Sequence, residues 1–153
     1  MKRKRRDYQT LNLDFNLDPN DVKKYMLAGQ SVFTVFNMNT GNHMTYKIDR
    51  KKSKSENEQL LWFVSVCYSY DSFSCIGRIL NNKFLPSMKM DVNDKSVKGF
   101  DVVWKHYGEN LNPMNNVKIL HSGYCARCGK LLTEPESLKR GMGSYCANVS
   151  TNF

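Results

Sequence analysis

The sequence predicts an α+β fold, in which a small antiparallel sheet and two helices precede a C-terminal zinc-knuckle module. Three observations carry that expectation. Two pairs of segments rich in β-branched and aromatic residues are each divided by a turn, two stretches bear helix signals, and three of the five cysteines fall in the last 29 residues. The chain has 153 residues, of which 41% are hydrophobic and 12% aromatic, enough for one ordinary domain with a core and a small satellite.

The first helix starts at Leu17-Asp18-Pro19-Asn20-Asp21, with Asp18 as N-cap, Pro19 at the first helical position and Asp21 near the positive helix end. It runs through Val22, Tyr25 and Met26 and is expected to stop at Gly29. Ser31 to Met38 and His43 to Ile48 then read as strands joined by Asn39-Thr40-Gly41-Asn42, a hairpin. The stretch Arg50 to Glu58 has no apolar residue and reads as a solvated loop.

Leu61 to Tyr68 carries apolar residues on both faces, which predicts a central strand covered twice. Phe73 to Leu80 is its partner across the Asp71-Ser72 turn, and Gly77 marks a bulge or a close approach. Phe84 to Asp94, with Pro86, reads as irregular. From Ser96 the apolar residues Val97, Phe100, Trp104 and Tyr107 recur at helical spacing, and Gly108 is expected to close the helix. The chain thus divides into a basic tail (1–10), an α+β body (11–109), a linker (110–117) and a zinc-finger module (118–153).

In the module, Cys125-x2-Cys128-Gly129 has the form of a zinc knuckle, in which two thiolates point at one metal and loop amides donate to the sulfurs. Thr133 and Glu136 stand at capping-box spacing, so a short helix is expected from Glu134 to Arg140, ending at Gly141. Gly141 and Gly143 then return Cys146 to the knuckle as a third ligand. His121, four residues before Cys125, is the best fourth ligand for Zn2+. The competing arrangement leaves an open position that holds water. Cys67 and Cys75 lie on body strands and read as small buried hydrophobes.

The run His-x3-Cys-x2-Cys-Gly-x-x-Leu-Thr-x-Pro-Glu-Ser-x3-Gly-x-Gly-x2-Cys resembles the C-terminal signature of a family of small bacteriophage-encoded proteins of unknown function. Leu27-Ala28-Gly29, Phe33-Thr34, Thr40-Gly41, Tyr46-Lys47, Trp62 to Val66 and the helix with Phe100 and Trp104 extend the resemblance to most of the chain. Ser144 departs from it, standing where such proteins often have proline. The resemblance implies His121, Cys125, Cys128 and Cys146 as ligands and the host bacterial cytoplasm as the setting. It brings no activity.

The 23 Lys and Arg against 14 Asp and Glu give a formal charge of +9. Lys2, Arg3, Lys4, Arg5 and Arg6 supply five of the surplus cations, and Asp7 follows where a secretory signal would be apolar. No apolar run reaches the roughly 18 residues that cross a bilayer, so a soluble protein without membrane contact is expected. Arg50, Lys51, Lys52 and Lys54 form a second basic cluster, and Arg127, Lys130, Lys139 and Arg140 surround the knuckle. If Tyr46, Tyr68, Tyr70 and Phe73 face outward, these make a sequence-tolerant single-strand platform; aromatics alternating along strands more often belong to the core.

His43 reads as a solvated turn residue and His106 as a cation at a helix C-terminus. Nucleophile, phosphate-loop and paired-carboxylate patterns are absent from the sequence. The expectation is therefore a non-catalytic protein that binds nucleic acid or a host nucleoprotein complex. Its rival is a direct protein inhibitor of a host defence, transcription or replication factor, and a zinc hydrolase ranks third.

Overall fold

β-branched and aromatic residues along Gln30–Asn37 (β2), and alternating polar and apolar residues from His43 to Asp49 in His43–Lys51 (β3), build the first hairpin of a seven-stranded sheet, seen in a computed structural model that describes residues 15–51, 60–110 and 112–149. The turn forms because the Asn37 side-chain oxygen accepts from the amides of Asn39 and Thr40, and Gly41 takes a φ of +78°. Leu61–Ser69 (β4) and Ser72–Leu80 (β5) make the second hairpin. Phe15–Asn16 (β1), Lys83–Pro86 (β6) and Val117–His121 (β7) complete the order β1-β7-β2-β3-β4-β5-β6, antiparallel throughout.

Gly77 is both bulge and close approach. The register passes from Val64 opposite Gly77 to Ser65 opposite Cys75, so Ile76 is the extra residue. A Cβ on Gly77 would lie 2.5 Å from the Leu85 carbonyl oxygen, which is how β6 reaches its place on the edge. Phe84 to Pro86, the start of the stretch expected to be irregular, instead lies in this strand. It pairs because Pro86 ends an edge strand, where a missing amide costs no ladder bond.

Helices Val22–Met26 (α1) and Lys95–Val103 (α2) pack on one face of the sheet. Asp18 caps as the sequence predicts, accepting from the Asn20 amide at 3.0 Å, but the cap opens a 3-10 turn at Pro19–Asp21 before α1 begins. α1 ends at Met26, three residues before Gly29. α2 is capped by Asp94 and continues through a π-helical turn, Trp104–Glu109, so Gly108 sits inside the helical run and does not close it. The reason is packing. A Cβ on Gly108 would lie 2.3 Å from the Trp104 ring, which covers that backbone.

The core lies between this face and the helices. Phe33, Tyr46, Ile48, Val64, Ile76 and Ile79 meet Val97, Phe100, Val103 and Trp104. A chain of ring contacts, Tyr25–Phe33–Tyr46–Phe100–Phe84, runs through it with centroids 4.7–6.3 Å apart. The polar tips are satisfied: Tyr25 Oη donates to the Val32 carbonyl, Tyr46 Oη to Ser96, Trp62 Nε1 to Leu27 and Trp104 Nε1 to Asn82. Tyr46 is therefore a core residue and no stacking platform.

The double coverage expected for β4 is not seen among the described residues. Trp62 and Val64 face the helices, while Cys67 joins Val32 and Phe73 in a small separate cluster to which no described helix contributes. The boundary expected at residue 118 also runs through the sheet. β7 lies between β1 and β2, bringing the cysteine segment against the body. Cys125, Ala126, Met142, Cys146 and Ala147 belong to the same core as Tyr25 and Phe33.

Candidate metal centre

The chain leaves β7 and makes the knuckle at once. Cys125 N donates to the Lys130 carbonyl and Gly129 N to the Cys125 carbonyl, closing a tight loop around Arg127 and Cys128. Tyr124 bridges to Leu131, and Gln30 holds the loop to β2 through bonds to the Ala126 and Arg127 carbonyls at 2.8 Å each. Helix α3 (Pro135–Arg140) follows. Its N-cap is Glu134, whose side chain makes no cap bond, because Pro135 at N1 fixes the start one residue later than the Thr133 capping box requires. Gly141 ends the helix in the left-handed conformation, as the sequence predicts.

Ser144–Val149 forms a further helix, α4, which carries Cys146 back to the knuckle. Ser144 occupies the position where proline is common in the resembling proteins, and its hydroxyl accepts from Arg140 Nη2 at 3.1 Å. Arg140 Nε also donates to the Met142 carbonyl. This arginine is a brace for the turn and is not free for an external anion.

The sulfurs of Cys125, Cys128 and Cys146 all lie within 4.8 Å of one another. A tetrahedral zinc with Zn–S bonds of about 2.3 Å needs S–S edges of roughly 3.8 Å, so three thiolates on this scale suit one ion. The amides act as the knuckle form requires. Burial pushes the Cys125 thiol up, but bonds from the amides of Cys128, Gly143 and Arg127 and from the Cys128 thiol outweigh it and hold Cys125 below its usual value. Cys146 moves the other way, raised first by burial and then by the two neighbouring cysteines, against an Arg127 Nη1 3.8 Å from its sulfur. Three sulfurs this close resist sharing negative charge, and a dication removes that conflict.

His121 does not join them. Its Nε2 donates to the Leu138 carbonyl at 2.6 Å and its Nδ1 accepts from the Gly123 amide at 3.1 Å, so both ring nitrogens are engaged. The ring is fully buried beside Phe15 and Tyr25, each 5.6 Å away by centroid. The fourth-ligand expectation fails because residue 121 is the last residue of β7 and its side chain points into the core. Cys67 is buried as expected, whereas Cys75 is exposed. Both stand on β4 and β5, away from the knuckle.

The predicted basic residues scatter. Lys139 is exposed and near Glu136, Arg127 is exposed beside Cys146, and Arg50 and Lys51 are exposed at the end of β3. Lys2, Arg3, Lys4, Arg5, Arg6, Lys52 and Lys54 lie outside the described residues. His43 is exposed at the start of β3, and His106 Nδ1 lies 3.0 Å from the Asn112 carbonyl oxygen.

A second feature emerges on the sheet face away from the helices. Strand alternation places Phe36, Phe63 and Phe73 there with Lys47, Lys51, Arg78 and Lys118, and Asp49 as the acid among them. The three rings are half-buried. Lys47 Nζ sits 4.9 Å from the Phe73 centroid and Lys51 Nζ 5.4 Å from that of Phe63. Tyr68 and Tyr70 are exposed at the adjoining hairpin tip. Phe73 and Lys51 are among the residues expected from sequence at a binding surface, whereas Phe63, Lys47, Arg78 and Lys118 are not. Following the two-residue alternation from buried Tyr46 and Ile48 would have put Lys47 and Lys51 on the opposite face.

Residues 119–149, from β7 to the end of α4, match a family of unknown function, DUF6011. No curated protein and no solved structure matches the chain. Among the described residues, no helix is long and apolar enough to cross a membrane.

Proposed function

We propose that this chain binds single-stranded nucleic acid on the face of its sheet away from α1 and α2, with a zinc ion at Cys125, Cys128 and Cys146 tying the C-terminal segment to that sheet. The observation that carries the reading is the outward set Phe36, Phe63 and Phe73 interleaved with Lys47, Lys51, Arg78 and Lys118. Bases stack on flat rings whatever their identity, and each neighbouring cation meets a phosphate, so such a face binds without reading sequence. The role is non-catalytic. Zinc is the metal of choice for three thiolates in a reducing compartment, since it needs no redox partner and accepts sulfur in a tetrahedral site. The resemblance to phage proteins supports a host bacterial cytoplasm as the setting of this reading, with nucleic acid or a nucleoprotein complex as the partner.

Fluorescence polarisation with labelled single-stranded and duplex oligonucleotides tests the reading. Binding at low salt should weaken steeply as salt rises. Phe63→Ala and Phe73→Ala should each weaken it by about 5- to 150-fold, the equivalent of about 1–3 kcal/mol per stacked base. No binding to either oligonucleotide at low salt would overturn it in favour of a direct protein inhibitor.

A further inference from the structure

We propose that the metal held by Cys125, Cys128 and Cys146 takes its fourth ligand from outside the chain, and that this ligand is a small aliphatic thiol bound as its thiolate. The proposal rests on the metal reading above and goes beyond it, from a structural staple to a binding site.

Three features point the same way. First, the cluster offers three donors, and the described His, Cys, Asp and Glu residues add no fourth to the group. His121, the nearest candidate in sequence, has Leu138 on one ring nitrogen and Gly123 on the other. Cys67 and Cys75 sit on strands three and four places from β7 in the sheet order. Second, the three cysteines line a cavity of about 440 Å³ whose walls include Leu131, Thr133, Glu134, Ser144 and Tyr145. That volume is in the range of small-molecule sites, and Leu131 and Tyr145 are both largely exposed at it, giving an apolar edge for a carbon skeleton.

Third, the donor set selects the ligand. Three thiolates already offset the charge of a divalent ion and make it soft, so a further sulfur completes the tetrahedron better than a hard oxygen anion does. A fourth thiolate adds negative charge, and Arg127 and Lys130 on the cavity wall oppose it. Binding breaks the thiol S–H bond and forms one metal–sulfur bond. The proton goes to solvent, and a metal-bound water leaves.

The experiment uses the full-length protein loaded with Co2+ in place of zinc, without thiol reductant, and titrated with 2-mercaptoethanol. The near-ultraviolet sulfur-to-cobalt absorption grows with the number of thiolates, so passing from three to four should raise it by about one third and saturate. His121→Gln should respond as wild type does. Stoichiometric Co2+ with an absorption indifferent to thiol would overturn the proposal while leaving the metal site intact. A thiol response gained only in Glu134→Gln would overturn it too, by showing Glu134 as the fourth ligand. Failure of Co2+ to bind with thiolate absorption would instead remove the metal reading, and the proposal with it.

Discussion

His121 Nε2 donates to the carbonyl oxygen of Leu138 at 2.6 Å, joining the last residue of β7 to helix α3 across 17 positions of sequence. The Gly123 amide fills the other ring nitrogen. The imidazole is thereby fixed as the neutral Nε2–H tautomer, and it links strand to helix instead of metal to protein. His121→Gln should therefore keep one zinc per chain, measured by atomic absorption on purified protein. His121→Ala should also retain zinc while losing about 2–4 kcal/mol in urea unfolding, because it leaves a cavity and two buried polar groups unpaired. Zinc falling by half or more in His121→Gln at full folding would restore the histidine as a ligand.

The same burial sets a pH dependence. Burial pushes the His121 pKa below its ordinary 6.5, and the bond to Leu138 only partly opposes this. The unfolded chain thus takes up a proton as pH falls through about 6.5, whereas the folded chain takes it up only at lower pH. Stability from this group is complete above 6.5 and is lost as pH falls from there through the folded pKa. Thiolate protonation adds to the acid loss in both proteins, so the readout is a difference. Urea midpoints between pH 7.5 and 5.5 should fall more for wild type than for His121→Gln. Parallel profiles would place the acid sensitivity elsewhere.

Removing the metal should affect the whole body, because the cysteine segment shares its core. Cys125, Met142, Cys146 and Ala147 pack in one cluster with Tyr25, Phe33 and Trp104. A chelator, Cys125→Ser or Cys146→Ser should each lower the single thermal transition, and no separate early transition for residues 118–149 should appear. At free zinc 100-fold above its dissociation constant the metal contributes about 2.7 kcal/mol. Differential scanning calorimetry with and without chelator checks this, and two resolved transitions would show an independent module.

The features legible in the sequence are those fixed by neighbours along the chain. The Asn39–Gly41 turn, the Asp18 cap, the Gly77 bulge and the Cys125-x2-Cys128 loop each rest on residues a few positions apart. What stayed hidden depends on distant partners. β1 has two residues and exists through its pairing with β7, and β7 itself inserts between β1 and β2. Nothing local distinguishes His121 at a strand end from a zinc ligand four residues before a cysteine. The sheet's outward aromatic face was visible as alternation, but only once the helices were known to occupy one side.

Gly141 shows how the metal segment and the first helix constrain one another. It has a φ of +74°, and a Cβ there would lie 2.2 Å from Tyr25 Cδ2 and 2.9 Å from Leu17 Cδ2. Tyr25 has no room to swing away, because its hydroxyl is bonded to the Val32 carbonyl at 2.7 Å and its ring is buried. Gly141→Ala meets the left-handed backbone penalty, about 1–2 kcal/mol, and overpacking of about 1–3 kcal/mol besides. A total near 3 kcal/mol should lower the melting temperature by roughly 6–12 °C in a chain of this size. Gly143→Ala is the matched control, since its Cβ would meet nothing within 4 Å and the amide that bonds Cys125 is kept. It should melt close to wild type. The Gly141 carbonyl accepts from the Ala126 amide at 3.0 Å, so the displaced turn also pulls on the knuckle, and Gly141→Ala should weaken zinc in a competition titration where Gly143→Ala does not.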